Sequence, residues 1–563
     1  MLDTLKSSFV ECGGRERARS LLDESSYREL LGPFSGIESP HLEPQGIVPQ
    51  SDDGVVIARG ELRGHPLLVI SLEGKFQGGG IGEVSGAKIA GALELALKEN
   101  EAGGTVYPVI VFDTGGVRLQ EANYGLLSIA EIGAAIVALR KYVPVIGVIP
   151  GKIGAFGGMS ITAGLCSTII MTREGRLGLN GPEVIEQEAG IEEFDSMDRQ
   201  LIWNTIGGNQ REAMGFADLV VDDDIEAFQL AILSAIKKWG ENPSRSTQVE
   251  RYLTFLQSVD TLEPINPEKA RHLWKQSEHN MVADYSIEKS TQENRMIGRG
   301  HKWFQLLSNG APSISKIPSV LCTDSYIGNV PVRFLAVVPN TSSRFPRARS
   351  GEFGLEEGWI LAKHIREVIE EDRYQEKRAI VAIVDVPSQA YGYREELLGI
   401  HQACAAAVDA YASARLAGHP VIGFIPGKAI SGAFLSHGMQ ANRLIALEDE
   451  GVNVHVMSKQ SAARITQRTI EELEEATKKV PAMAYDIRSF EKLGALFALM
   501  SGINADSPGI SDREAVFSKL VDAIEDTKNS PRDLSSRLTT TFAREGGREA
   551  SILVRKKLAE QWR

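Results

Sequence analysis

The chain has 563 residues, 43% of them hydrophobic and 24% charged. That balance suits two large domains or several smaller ones and excludes a disordered, collagen-like or disulfide-scaffold protein. Lys and Arg number 61 and Asp and Glu 74, a net charge of −13, which makes a poor general binder of nucleic-acid phosphates.

The segment from Met1 to Gly14 has no apolar core of signal-peptide length. The longest apolar run, Ile129 to Leu139, stops at Arg140-Lys141 and is too short to span a bilayer, so no membrane partner is expected. Cys12, Cys166, Cys322 and Cys404 have no metal-ligand or redox spacing, which predicts four unlinked thiols in a reducing cytoplasm. The ten His form no HExxH-like cluster, so no catalytic metal is expected.

In chain order, a glycine loop at Gly78-Gly79-Gly80-Ile81-Gly82 precedes a helix expected from about Ser85 to Lys98. The loop lacks dinucleotide and P-loop spacings. As a helix entry it can hold an acyl group or a diphosphate through Gly79 and Gly80, or be a plain flexible loop. The run Val109 to Asp113 reads as a buried strand. The loop Asp113-Thr-Gly-Gly-Val-Arg-Leu-Gln-Glu121 follows it, where α/β proteins place ligands. Arg118 in this loop can hold a carboxylate with its planar fork, or pair internally with Glu121. An Ala-rich helical stretch from Asn123 to Tyr142 comes next, then PVIGVIPGK at 144–152, a Gly157-Gly158 turn and the run Thr168 to Met171.

The same order then recurs. Residues 420–428 read PVIGFIPGK, identical to 144–152 at eight of nine positions. Before this copy lie the run Ile380 to Asp385 and a helical stretch from Glu395 to Leu416. After it come a small-residue turn at Gly432-Ala433 and the run Leu444 to Leu447. Gly432-Ala433 matches Gly157-Gly158 after a one-residue shift. Each half thus reads strand, loop, helix, strand, turn, helix, strand. Short apolar strands alternating with long helices predict α/β domains with mostly parallel sheets. Between about 240 and 300 the chain is polar and Pro-marked, with a helix expected at 269–277. The domains are placed at 1–285 and 296–563, with a linker at 286–295 and Met296 as a candidate ancestral start.

Function enters at the turns. Amides at a helix start lack intrahelical partners and carry the positive end of the helix dipole. Glycine lets a substrate approach them, so each turn can accept a developing oxyanion, or can be a tight turn that needs small residues for packing. Two such turns in two homologous halves suggest two oxygens held at one shared site. A single His beyond the second turn, His437, reads as structural. No biotin-acceptor Met-Lys-Met is present, so any swinging arm comes from another protein.

The loop Asp113 to Glu121 followed by Gly157-Gly158 resembles the carboxyltransferase family of the crotonase-like superfamily. Gly74-Lys-Phe-Gln-Gly-Gly-Gly-Ile-Gly-Glu-Val-Ser-Gly-Ala-Lys88 and the stretch Val143 to Gly158 look like the β subunit of biotin-independent malonate decarboxylase. Phe345-Pro-Arg-Ala-Arg-Ser-Gly-Glu-Phe-Gly-Leu-Glu-Glu-Gly-Trp359 looks like its γ subunit. The resemblance covers nearly the whole chain, as a β–γ fusion. It implies two crotonase-like (ClpP/crotonase-type) domains about a pseudo-two-fold axis. The implied reaction decarboxylates a malonyl thioester to acetyl thioester and CO₂ on an acyl carrier subunit.

That carrier bears a phosphoribosyl-dephospho-CoA arm, and no cofactor is covalently bound to this chain. An acetyl/malonyl transferase (α) subunit is the further partner, in an oligomeric assembly. By the family pattern Gly157, Gly158, Gly432 and Ala433 supply the catalytic amides, and Gly115, Gly116 and Arg118 line the site. Arg344, Arg347 and Arg349 form a candidate docking patch for the carrier. The second half departs from the biotin-dependent pattern, reading Asp385-Val-Pro-Ser-Gln-Ala390 without Gly-Gly. Alternatives are the carboxyltransferase of a biotin-dependent carboxylase or decarboxylase, and a non-catalytic assembly subunit.

Overall fold

The structure, a computed structural model, describes residues 6–278, 285, 297–466 and 469–563. The expected linker and Met296 lie outside the described residues. The chain divides into two compact units. One holds the residues up to Glu186, Gly190–Arg245 and Glu549–Arg563. The other holds Gln187–Ala189 and Ser246–Arg548.

The first unit is built on seven strands in chain order: β1 (Arg28–Leu30), β2 (Val55–Leu62), β3 (His65–Leu72), β4 (Tyr107–Val111), β5 (Ile146–Ile149), β6 (Thr168–Thr172) and β7 (Leu219–Val221). β1 to β3 are antiparallel, an N-terminal meander that the repeat did not reveal. From β3 to β7 the sheet is parallel. Val69, Val109, Val111, Ile146, Val148 and Ile170 build a core closed by Phe9, Phe228 and Ile232. β4 and β5 are buried along their whole apolar runs, apart from the intermediate Tyr107, as parallel strands covered on both faces require. The helix Ala122–Leu139 is apolar enough to resemble a membrane span, but every residue of it is buried in this unit.

In the second unit a six-stranded sheet has the same logic. β8 (Val320–Ile327) and β9 (Val330–Val337) form an antiparallel pair. β10 (Ala379–Ile383), β11 (Val421–Ile425), β13 (Arg443–Leu447) and β15 (Ala498–Met500) then add in parallel. A small parallel pair, β12 (Lys428–Ile430) with β14 (Asn453–His455), stands apart. The predicted Glu395–Leu416 helix is two helices, Tyr393–Leu397 and Ile400–Leu416, parted at Gly399 with φ +85°. Each unit crosses its two long helices at a glycine. A Cβ on Gly86 would sit 2.2 Å from the Ser128 Cβ, and one on Gly358 would sit 2.5 Å from the Ala403 carbonyl oxygen.

The units do not divide where the sequence repeat does. The helix Glu549–Gln561, at the end of the second half, belongs to the first unit. It buries Ser551, Val554 and Leu558, and the bare Cα of Gly91 makes room for Arg555 and Leu558. Arg555 bonds Glu94 at 2.9 Å and Glu131 at 2.8 Å. Conversely, the helices Val249–Ser258 and Pro267–Ser277 belong to the second unit, where Tyr252 stacks on Trp359 at 4.3 Å. The helices Val249–Ser258 and Pro267–Ser277 are amphipathic and bury their apolar stripes in the second unit, while Glu549–Gln561 buries the single stripe Ser551, Val554 and Leu558 in the first. The compact units therefore divide at Arg245 and Ser246, ahead of the expected boundary at 285.

Candidate active site

Two residues beyond β4 and β10, an aspartate pins the turn after the next strand. Asp113 Oδ1 accepts from the Ile153 amide at 2.8 Å, and Asp385 Oδ1 from the Lys428 amide at 3.1 Å. Thr114 bridges Ala155, and Val386 bridges Ala429. The loop between strand and turn is two residues shorter in the second half. Ala155-Phe156 therefore corresponds to Ala429-Ile430, and Gly157-Gly158 to Ser431-Gly432. The backbone agrees: Gly157 has φ +55° and Ser431 φ +62°, each opening a helix (Gly158–Leu165 and Ser431–Ser436). The one-residue shift inferred from the small residues is thus corrected. The signal that locates the register is the Ala-apolar pair, not the glycines.

The donors are also reassigned. The Gly157 amide donates to the Leu179 carbonyl at 2.9 Å and is spent. Among the described residues, the amides of Gly158 and Met159 meet no acceptor, and Ser160 begins the local bonding by donating to the Gly157 carbonyl at 3.0 Å. The open pair in the first half is Gly158–Met159. In the second half Gly432 and Ala433 hold the equivalent positions, but the Gly432 amide donates to Gln389 Oε1 at 3.1 Å.

All three glycine loops of the first half meet in one unit. Ile81 donates to the Gly116 carbonyl, Arg118 to the Ile81 carbonyl and Gly115 to the Gly78 carbonyl, each at 2.9 Å. Gly116, with φ +108°, lies against Gly157. The four glycines expected to bind a ligand in these loops offer no open amides. Gly115 and Gly116 spend their amides on Gly78 and on Thr114 Oγ1, while Gly79 and Gly80 spend theirs on Phe76 and Gln77. Gly79 is glycine because a Cβ there would lie 2.0 Å from the Asp113 carbonyl oxygen. The start of the Glu83–Glu101 helix is already filled by carboxylates: Glu121 Oε1 accepts from the Glu83 amide at 3.1 Å and Asp53 Oδ2 from the Ser85 amide at 2.7 Å. The Glu83 and Ser85 donors are therefore taken by the protein's own carboxylates.

Arg118 is corrected as well. It is buried, with Nη1 2.7 Å from Asp53 Oδ1 and 2.6 Å from Glu121 Oε2, and its guanidinium lies over the Phe76 ring. It therefore pairs internally and holds no substrate carboxylate. Burial pushes Asp53 up to about 6 against the pull of Arg118. His41 bonds Glu83 at 2.6 Å and stacks on Tyr124. Burial lowers its pKa, but the Glu83 carboxylate more than offsets this and the net shift is upward. None of Asp53, Glu83 and His41 carried a local signal, because they come from segments distant from the loop.

The docking patch loses its first member: Arg344 bonds Glu356 at 2.7 Å and the Leu256 carbonyl at 2.6 Å, inside the second unit. Arg349 bonds the Ser343 carbonyl at 2.9 Å. His437 is structural, bonded to Tyr411 and to the Ile383 carbonyl at 2.9 Å each, with burial lowering it to about 4. The four cysteines are free thiols. The described residues contain no cluster of metal-binding side chains.

Buried strands followed by turn-pinning aspartates, with helix-start amides presented at a positive-φ elbow, form a scaffold whose backbone can accept an oxyanion. Residues 14–285 match the carboxyl transferase domain, and residues 348–562 match the malonate decarboxylase gamma subunit. A malonyl-S-ACP:biotin-protein carboxyltransferase of Malonomonas rubra, MADC, is 40% identical over 280 residues, 47% of this chain and 88% of that protein. MADD, of the same description and organism, is 37% identical over 194 residues, 34% of this chain and 66% of that protein. A chain in the crystal structure of a Pseudomonas malonate decarboxylase hetero-tetramer in complex with malonate is 55% identical. The match covers 48% of this chain and 98% of that one, with a TM-score of 0.47. The chain belongs to the carboxyltransferase family, as a fusion of a β-like and a γ-like segment of malonate decarboxylase.

Proposed function

We propose that this chain decarboxylates a malonyl thioester, held on an acyl carrier protein, to the acetyl thioester and CO₂. The observation that carries the reading is the open amide pair of Gly158 and Met159 at the start of a helix, on a chain whose two halves match the β and γ components. Breaking the bond to the departing carboxylate sends its electron pair into an enolate. The negative charge of that enolate rests on the thioester oxygen. We place this oxygen at Gly158–Met159, where preorganised donors act without reorganising. The enolate then takes a proton and becomes the acetyl thioester.

The Gly432–Ala433 turn, with one amide bonded to Gln389, is the candidate for orienting the carboxylate. A pseudo-two-fold pairing of the two turns at one site is part of the proposal. It is supported by the 144–152 and 420–428 repeat and by the matching elbows. The proposal also includes a cytoplasmic location, a separate carrier bearing the phosphoribosyl-dephospho-CoA arm, and a separate acetyl/malonyl transferase subunit.

The 40% and 37% identities to biotin-protein carboxyltransferases support a second reading, transfer of the carboxyl group to a biotin carrier. Release of CO₂ from a malonyl thioester by the purified chain, with and without avidin, separates the two. Avidin-insensitive release supports decarboxylation. Release that appears only when a biotin carrier is added, and that avidin abolishes, defeats it. A crystal structure with a malonyl thioester bound tests the shared site.

A further inference from the structure

We propose that Arg118 is a positioning residue for the reaction: bound to Asp53 and Glu121, it sets the geometry of the Gly158 and Met159 amides without touching substrate. The inference rests on the reading of those amides as the oxyanion donors.

The contacts run without a gap from the guanidinium to the turn. Both carboxylates that Arg118 binds also cap the helix Glu83–Glu101, Glu121 at the Glu83 amide and Asp53 at the Ser85 amide. Arg118 therefore fastens the loop Asp113–Glu121 to that helix. The Arg118 amide donates to the Ile81 carbonyl, and Ile81 donates back to the Gly116 carbonyl. Gly116 presses on the Gly157 Cα, and Gly157 is the elbow that aims the two open amides. A shift in the arginine moves Gly116, and Gly116 cannot move without turning Gly157.

The second half provides an internal control. The same loop is folded there with the same hydrogen bonds: Phe353 donates to the Ser388 carbonyl, and Ala390 donates to the Phe353 carbonyl. The residue at the position of Arg118 is Ala390. The loop thus forms with no arginine of its own, since the Arg344 that binds Glu356 at the start of the helix Leu355–Glu371 turns its other bonds to Leu256, Val259 and Tyr285 and not to the loop. Two buried carboxylates and a guanidinium are costly to desolvate, and apolar residues of similar volume often replace such clusters without loss of stability. The cluster is present at the turn whose two amides are open, and it is missing at the turn where Gln389 already holds one of them.

The test uses the full chain and three variants: Arg118→Lys, which keeps the charge but not the planar fork, Asp53→Asn/Arg118→Gln/Glu121→Gln, which neutralises the cluster, and Gly158→Pro, which removes one donor directly. The assays are CO₂ release from the malonyl thioester of N-acetylcysteamine, melting temperature, and amide hydrogen exchange over residues 113–118 and 156–160. A misplacement of about 1 Å costs about 10²-fold. Accordingly Arg118→Lys and the triple variant should lose about 10–100-fold in kcat, with KM and melting temperature nearly unchanged and faster exchange confined to those two segments.

Wild-type kcat and exchange in Arg118→Lys, with the fold intact, would overturn the proposal. A rise in KM alone would overturn it too, since that is the signature of a substrate-binding arginine. Gly158→Pro that keeps full activity would overturn instead the reading of the amides. If the wild-type chain releases no CO₂ from this thioester, the exchange pattern alone decides: faster exchange at 156–160 in Arg118→Lys supports the positioning role, and unchanged exchange there refutes it.

Discussion

Gly116 and Gly157 touch through their bare Cα atoms: a Cβ on Gly157 would lie 3.2 Å from the Gly116 Cα, and one on Gly116 would lie 3.1 Å from the Gly157 Cα. Both carry positive φ, +108° and +55°. Neither residue has room or conformation for a side chain, and between them they fix the distance from the Asp113–Glu121 loop to the elbow. Alanine at either position should cost about 1–3 kcal/mol for the backbone strain alone. The Gly157→Ala and Gly116→Ala chains should show lowered melting temperatures and a loss of CO₂ release larger than their loss of folded fraction. Unchanged release from a folded Gly157→Ala chain would show that the elbow carries no catalytic geometry.

Removal of a single donor isolates the oxyanion role. Proline is tolerated at the first position of a helix, where its missing N–H has no intrahelical partner. Gly158→Pro should therefore leave the helix Gly158–Leu165 in place and cost about 10²–10³ in kcat. The measurement is kcat for CO₂ release beside a circular dichroism melt. A kcat within twofold of wild type would place the thioester oxygen elsewhere.

The exchanged C-terminal helix makes the first unit depend on the last residues of the chain. Arg555 holds both Glu94 and Glu131, and Ser551 donates twice to Glu83, from its amide at 2.9 Å and its hydroxyl at 3.0 Å. Removing Arg555 strands the buried Glu131 while leaving Glu94 to solvent, at a cost of about 1–3 kcal/mol. Arg555→Ala should lower the unfolding midpoint of the first unit. A chain ending at Arg548 should be cut in the segment Glu83–Leu139 by limited proteolysis. Full protease resistance of the truncated chain would mean that the helix is dispensable.

Two buried groups of the second unit give opposite pH slopes. His437 is held at about 4 by burial, below its ordinary value of 6.5. Between these values the unfolded chain takes a proton that the folded chain refuses, so acidification through this window destabilises the fold. Glu357 is pushed up to about 7 from 4.5 by burial and the Glu356 charge, while it accepts from the Ser319 hydroxyl at 2.5 Å. Its folded form holds a proton that the unfolded chain has released, so its contribution is lost as pH rises from 4.5 through about 7. Glu357→Gln should flatten the decline in stability between pH 4.5 and about 7. His437→Gln, whose amide can bond Tyr411, should flatten the decline below pH 6.5. Denaturant melts across pH 4–8 measure both slopes, and unchanged slopes in either variant would refute the assignment.

Local pattern was enough for a large part of this protein. The pairs Val109–Asp113 and Ile380–Asp385 announce strands followed by a pinning carboxylate, because a buried parallel strand is an apolar run and the loop begins just beyond it. The nine-residue repeat exposes the duplication, and the small residues after it mark the first elbow but place the second one residue late. The N-terminal meander β1 to β3 was not legible, since its strands lie outside the repeat and alternate only weakly.

The allocation of hydrogen bonds belonged to tertiary structure alone. Whether an amide at a glycine turn is open depends on the carbonyl that comes to meet it. For Gly157 that carbonyl is Leu179, and for Gly432 the acceptor is the side chain of Gln389. Whether Arg118 binds a ligand or a neighbour was decided by Asp53, sixty-five residues away in sequence. The exchange of helices at 249–277 and 549–561 follows the same principle: an amphipathic stripe is read locally, but the surface that covers it is chosen by the folded sheets. The sequence by itself determined the strands of the repeat, the first elbow and the family of chemistry, through short-range periodicity and the conformational freedom of glycine. Packing determined which donors stay open, because burial sets hydrogen-bond partners and charge states across segments that no local pattern connects.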